Sequence, residues 1–230
     1  MKALLGFIII GLIATPVTAK EWTFREAKRA LEALYKDNST SFYCGCDYQR
    51  QERTDKPGKT RLEPDLNSCG YTPRKNASRA QRIEWEHIVP ASHYGKHMQC
   101  WKDGGRKNCK KDKKYNKLAS DMHTLVPSIG EANGDRSNFK FGMLEGERRQ
   151  YGRCDFEIDF KARIVEPAPN VRGDIARAYL YMADEYNIRL SKQQRQLFGA
   201  WHKTDPVDRW ERTKNKRVQR LQGKANPYIQ

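Results

Sequence analysis

Six cysteines, at positions 44, 46, 69, 100, 109 and 154, constrain this chain more than any other feature. Their use depends on where the chain folds, and the first residues carry that information. Residues 1–19, with Lys2 near the start, an apolar run behind it and Val17-Thr18-Ala19 at the end, have the pattern of a secretory signal peptide cut before Lys20. The run falls short of the roughly 20 apolar residues of a membrane span, so the mature chain, residues 20–230, is expected to be soluble and exported. No linker, repeat or low-complexity tract divides it, which predicts a single domain. In an oxidising compartment an even number of cysteines reads as disulfides. Zinc is the rival, but Cys44-Gly45-Cys46 lacks the spacing of a metal-binding pair, and no second pair of that kind follows. Cys100 and Cys109 can close a small glycine-rich loop on themselves. The partners of the other four cysteines are not fixed by sequence.

The formal net charge of +16 becomes +15 without Lys2. A basic exported chain suits a polyanion, although a charge run is also an ordinary solvated face. An anionic membrane is the other candidate surface. No mature segment pairs a wide apolar helix face with a lysine-rich one, so no membrane partner is expected.

Local patterns place the elements. Thr23 and Glu26 form a capping box ahead of Ala27, Ala30, Leu31, Leu34 and Tyr35 at helical spacing, which predicts a helix ending near Asp37. Residues 42–82 are turn-rich and predict loops with at most short strands. From Ile83 a period-two pattern sets Ile83, Trp85 and His87 on one side and Glu84 and Glu86 on the other, a strand ending by Pro90. Residues 102–117 read as a basic loop followed by a short helix. Residues 123–126 read as a second strand stopped by Pro127, and Ser128 with Glu131 as a capping box that starts a helix near Ile129 and puts Asn133 in its first two turns. Three helices finish the chain: one through Ile175, Ala178, Tyr179, Met182 and Tyr186, one opened by the Ser191–Gln194 box, and a basic one starting at Asp205-Pro206.

The order strand, excursion, strand, helix carries residues suited to phosphodiester hydrolysis, which needs a base for water, a cation against the developing charge and a fixed positive group for the phosphate. His87 titrates near neutrality and can be the base. Glu86 and the Asn133 amide offer hard oxygens to Mg²⁺, and Arg106 can grip a phosphate through two donors. Each also has an ordinary reading: a hydrogen-bonded strand end for Glu86 and His87, a helix-ending Asn-Gly turn for Asn133, a solvated loop charge for Arg106. Adjacent strand residues point to opposite faces, so Glu86 and His87 converge only where the strand twists or ends. His93 and His97 have a zinc-compatible spacing, but Gly95 weakens the helix between them and the glutamate of a protease-type motif is missing, so they read as structural or DNA-facing, as His123 and His202 read as structural.

The run Glu86-His-Ile-Val-Pro90 resembles the signature of His-Me finger (ββα-metal, HNH-like) nucleases. The wider set, EWEHIVPASHYG, GGRKNC, HTLVPSIGEANGDRSNF and DPVDRWERTKNKRVQRLQGKANPYI, resembles the bacterial endonuclease I family of periplasmic or secreted DNases over nearly the whole mature chain. The resemblance implies an α+β fold, a mixed single domain built around a ββα-metal motif, helix-rich in its C-terminal part and stabilised by disulfides. It also implies one Mg²⁺ and cleavage of DNA, often also RNA, with little sequence preference; double- and single-stranded DNA are the expected partners and a monomer the expected state. Carried over by position, Glu86 and Asn133 match the metal ligands, His87 the general base and Arg106 the phosphate-holding arginine. Asn138 is a second amide in the same stretch. A secreted DNA-binding or uptake protein and a basic toxin are the rival readings.

Overall fold

The computed structural model describes residues 20–53, 56–146 and 148–230, so the signal-peptide expectation lies outside the described residues. Helix α1 (Phe24–Leu34) starts at the Thr23 capping box and is followed by the hairpin β1 (Tyr48–Glu52) and β2 (Thr60–Pro64), then the one-turn helices α2 (Leu66–Cys69) and α3 (Ala77–Ala80). Strand β3 (Ile83–His87) leads into α4 (Ala91–Gly95), α5 (Gln99–Cys109) and α6 (Lys113–Ala119). Strand β4 (Leu125–Ile129) returns antiparallel to β3, with His87 opposite Leu125 and Ile83 opposite Ile129, and runs straight into α7 (Gly130–Arg136). A small sheet of β5 (Lys140–Phe141), β6 (Phe156–Asp159) and β7 (Ile164–Pro167) precedes three helices, α8 (Arg172–Tyr186), α9 (Lys192–Thr204) and α10 (Arg209–Gln222).

The β3–β4 pair lies between two apolar clusters. On one side Trp85 and Leu125 join Ala27 and Leu31 of α1, its C-cap residue Tyr35, and Val218 of α10. On the other, Ile88, Val126 and Ile129 join the larger core of Tyr43, Phe156, Tyr179 and Phe198. Burying both faces of so short a sheet makes its register costly to shift, because a one-residue slip would exchange the two sets. All six cysteines are paired, as Cys44–Cys154, Cys46–Cys69 and Cys100–Cys109, which removes the zinc reading for them and bears out the local loop.

Several local expectations need correction. Pro127 does not stop the second strand; it sits inside β4 opposite Trp85. Its carbonyl accepts from Phe42 N–H at 2.8 Å, so this side of the residue faces away from β3 and the missing N–H costs the ladder nothing. Residues 122–124 form a 3-10 turn instead of strand. Ser128 does not cap α7: its hydroxyl donates to the Ile129 carbonyl. Glu131 instead accepts from the backbone N–H groups of Arg74, Lys75 and Asn76 and from Tyr71 Oη, anchoring the preceding loop on α7. The expected basic loop begins as helix α5, broken at Gly104 and Gly105, the latter at φ +63°. Asp208 is the N-cap of α10 in a box with Glu211, while Asp205 ends α9, so the last helix starts later than its proline suggested. No helix among the described residues is long and apolar enough to cross a membrane.

Candidate active site

Glu86, His87, Asn133 and Arg106 line one cavity of about 800 Å³. The alternation that seemed to separate Glu86 from His87 is real. His87 stacks toward Phe24 of α1, ring centroids 4.8 Å apart, while Glu86 turns to the opposite side, toward Tyr43 and Arg136. Both reach the cavity because β3 ends at His87.

His87 Nε2 lies 2.9 Å from the Ala119 carbonyl. A carbonyl only accepts, so Nε2 carries the ring proton and Nδ1 keeps its lone pair. Burial, with the positive charges of Arg106, Arg136 and Lys28, lowers the imidazole to about 4, against the support of the Ala119 carbonyl, so the ring is neutral at physiological pH.

Glu86 is 5 % exposed. Burial pushes its carboxyl up to about 7 in spite of the Arg136 charge and the Tyr43 hydrogen bond. Tyr43 Oη donates to Oε1 at 3.2 Å and Arg136 Nη1 to the same oxygen at 2.9 Å. Arg136 also donates through Nη1 to the His87 carbonyl at 3.0 Å and through Nη2 to the Ile88 carbonyl at 2.5 Å. One guanidinium therefore fixes the carboxylate and the backbone that carries the imidazole.

Glu84, two residues before Glu86, is held differently. Arg79 grips it with two hydrogen bonds of 3.0 and 2.8 Å and Arg82 adds one of 2.9 Å. Burial works to raise its carboxyl, but these two arginines bring it below its ordinary value. Its Oε2 also accepts from Asn133 Nδ2 at 2.8 Å. With the amide nitrogen so engaged, Oδ1 is the free end of Asn133, the end that suits a cation. Arg79 reaches Glu84 by crossing α7 at two glycines: a Cβ on Gly134 would lie 2.0 Å from the Arg79 guanidinium, and one on Gly130 would lie 2.6 Å from its carbonyl. Asn133-Gly134 is therefore inside the helix, not a turn that ends it.

Arg106 follows the Gly104–Gly105 break in α5, within the ring closed by Cys100–Cys109, and Asn108 Nδ2 donates across that ring to the Cys100 carbonyl at 3.1 Å. A buried carboxylate pushed upward, an oriented amide oxygen, a neutral imidazole and a cationic side chain thus face one space. One carboxylate and one amide oxygen, completed by water and phosphate, match a hard divalent cation such as Mg²⁺. Asn138 lines the same cavity, but its carbonyl meets His93 Nε2 at 3.1 Å and its Oδ1 accepts from Arg163 at 2.5 Å, so its amide oxygen is already used.

The sequence reading did not assign Glu84, Tyr43, Arg79 or Arg136 to the site. Two had a signal: Glu84 shares the period-two face of Glu86, and Arg136 lies three residues after Asn133 on one helix. Tyr43 had none, because only the folded chain brings it to Glu86.

The family model described as Endonuclease I matches residues 16–230. A protein of Aeromonas hydrophila described as a periplasmic deoxyribonuclease is 49 % identical over 99 % of this chain and 94 % of its own length. One from the same organism, described as an extracellular deoxyribonuclease, is 48 % identical over 100 % of this chain and 97 % of its own. An endonuclease-1 of Buchnera aphidicola subsp. Acyrthosiphon pisum is 48 % identical over 90 % of this chain and 80 % of its own. Matched by that family model over residues 16–230 and similar to these relatives over nearly its whole length, the chain belongs to the endonuclease I family.

Proposed function

We propose that this protein is an exported, Mg²⁺-dependent endonuclease that hydrolyses DNA phosphodiester bonds with little sequence preference. The observation that carries this reading is the junction at the end of β3, where Glu86 and His87 leave opposite faces of one strand and open into one basic cavity with Asn133 and Arg106. Export is inferred from the leader pattern of residues 1–19 and from relatives described as periplasmic and extracellular. In this reading β3, β4 and α7 form the ββα-metal motif.

His87 takes the proton of the attacking water at Nδ1, since Nε2–H is committed to Ala119. Its low pKa keeps the base form present, and a phosphate entering between His87 and the arginines raises its proton affinity by offsetting their charge. Glu86 Oε and Asn133 Oδ1 would hold the cation, which when bound neutralises charge on the phosphate and leaving oxygen. Arg106 holds a phosphate oxygen through charge-assisted hydrogen bonds. Binding through phosphates explains the expected lack of sequence preference and predicts that affinity falls steeply with added salt.

Plasmid incubated with Mg²⁺ should be nicked and then degraded, and EDTA should abolish this. His87→Ala should keep metal and DNA binding while single-turnover cleavage drops by about 10²- to 10⁴-fold. Glu86→Ala should lose metal affinity and cleavage together. Unchanged cleavage in EDTA, or loss of metal by His87→Ala, would overturn these assignments. A DNA-binding or uptake protein would retain plasmid without cutting it under either condition.

A further inference from the structure

A ladder of two phenylalanine rings between two arginines lies beside the cavity wall at Asn138. The Arg74 guanidinium lies over the Phe160 ring, 4.4 Å from its centroid. Phe160 meets Phe139 edge-on at 6.2 Å, and the Arg163 guanidinium lies 4.6 Å from the Phe139 centroid. One end is tied to α7 and the other to the cavity wall. Arg74 Nε donates to Asp135 Oδ2 at 3.1 Å, between Asn133 and Arg136 on α7, and Arg163 Nη2 donates to Asn138 Oδ1, on the cavity wall.

Two features set this cluster apart from ordinary packing. Phe160 is 39 % exposed, one of three large apolar side chains so exposed among the described residues, and it sits in the tight turn between β6 and β7 beside exposed Lys161 and Arg163. Arg163 adopts φ +59°, a left-handed conformation that costs an L-residue about 1 kcal/mol and that glycine or asparagine takes more readily. An arginine there keeps its guanidinium over Phe139. An exposed ring among cations that also touch aromatic faces is the makeup of surfaces on which nucleic-acid bases stack, with the cations on the backbone.

Resting on the nuclease reading above, we infer that the exposed Phe160 ring, flanked by Arg74 and Arg163 and backed by the buried Phe139, is a stacking platform for an unpaired base of a polynucleotide strand whose phosphate enters the neighbouring cavity. The bases of a duplex are covered by their neighbours, so the platform favours single-stranded substrate and frayed ends and adds little to intact duplex.

The test is binding by fluorescence anisotropy in EDTA, with a twelve-residue oligothymidylate, its duplex with oligodeoxyadenylate, and oligouridylate of the same length as probes. Phe160→Leu keeps an apolar side chain but no ring. It should weaken single-strand binding about tenfold, within the range of one base–aromatic stack, and change duplex affinity less than twofold. Phe160→Trp should keep the affinity, and the introduced indole should be quenched by oligothymidylate beyond the change seen in the unsubstituted protein. Equal losses on thymidylate and uridylate mean that the base alone is read; a loss on thymidylate alone restricts the platform to DNA. No loss on either strand, an equal loss on the duplex, or no extra quenching overturns the inference. Absence of plasmid cleavage by the unsubstituted protein in Mg²⁺ would reject the nuclease reading without touching the stacking result.

Discussion

Arg136 and Arg177 are both buried, at 0 % and 1 % exposure, each against a buried carboxylate, yet they divide their donors in opposite ways. Arg177 closes on Glu211 with two hydrogen bonds of 2.6 Å, and its remaining arm donates to the Asp205 carbonyl at 2.7 Å. That is a saturated pair joining α8 to α10. Arg136 gives Glu86 one hydrogen bond and the backbone carbonyls of His87 and Ile88 two. Burial raises the carboxyls of both partners, Glu86 and Glu211, so an upward shift alone does not mark a site. The difference lies in geometry. A carboxylate bound on both oxygens by one planar fork has its charge answered, whereas one held by a single arm at the wall of an open basic cavity still has capacity for a cation.

Substituting the two arginines in parallel tests that contrast and should give the largest functional separation. Arg136→Met and Arg177→Met each leave a carboxylate buried without its partner, and each should cost about 3–5 kcal/mol in urea unfolding. Their function should separate. The folded fraction of Arg177→Met should bind Mg²⁺ and cleave within a few-fold of the parent. Arg136→Met should lose about 10- to 100-fold in metal affinity by calorimetry, the usual effect of losing a ligand's supporting partner, and cleave correspondingly less. Equal functional losses would mean that Arg136 acts only through stability.

The disulfides sharpen the comparison at intermediate scale. Cys44–Cys154 spans 110 residues, and Cys44 adjoins Tyr43, which donates to Glu86; Cys100–Cys109 spans 9 residues around Arg106. On chain entropy alone, replacing both cysteines of the first pair with alanine should cost about 4–5 kcal/mol, and of the second about 2–3 kcal/mol. The first variant should also weaken Mg²⁺ binding, because the Tyr43 segment is freed. The second should raise KM for DNA while leaving metal affinity unchanged, because only the Arg106 loop is freed. Unchanged KM in the second would detach Arg106 from phosphate binding.

What the sequence made readable follows the reach of each interaction. The caps at Thr23 and Ser191 and the Cys100–Cys109 loop are local, and all three stand in the structure. Glu86, His87, Asn133 and Arg106 stood out as a group through their chemistry and the resemblance of their segments to a nuclease family, and one cavity is lined by all four. The residues that hold them left at most a local hint, Glu84 on the face of Glu86 and Arg136 one turn from Asn133, and their partners were not legible. Tyr43 reaches Glu86 across 43 positions, Glu84 reaches Asn133 across 49 and Arg136 reaches Glu86 across 50, and no periodicity encodes such distances. Pro127 misled for a related reason: a proline stops a strand only where its N–H is needed, and which side of β4 faces its partner is decided by β3 and Phe42.

The smallest expected effect is a change of slope with pH. In the metal-free protein the Glu86 carboxyl, raised from 4.5 to about 7, binds its proton more tightly folded than unfolded, so its contribution to stability falls as pH rises from about 4.5 to about 7. His87 and His93, both lowered from 6.5 to about 4, contribute with the opposite sign, since there the unfolded chain holds the extra protons and stability rises with pH from about 4 to about 6.5. The two trends overlap and partly cancel in the parent. Glu86→Gln removes the falling one, so its metal-free stability should climb more steeply between pH 5 and 7 than the parent's, as read by urea midpoints. The same carboxyl should make protons compete with Mg²⁺: calorimetric affinity in the parent should fall by up to about tenfold per unit below pH 7, whereas Lys214, pushed down to about 8 by its own burial beside the Arg177–Glu211 pair, should leave it unaffected. Parallel stability curves for the parent and Glu86→Gln, together with pH-independent Mg²⁺ binding, would show that Glu86 is as fully answered by Arg136 as Glu211 is by Arg177, and would erase the contrast between the two arginines.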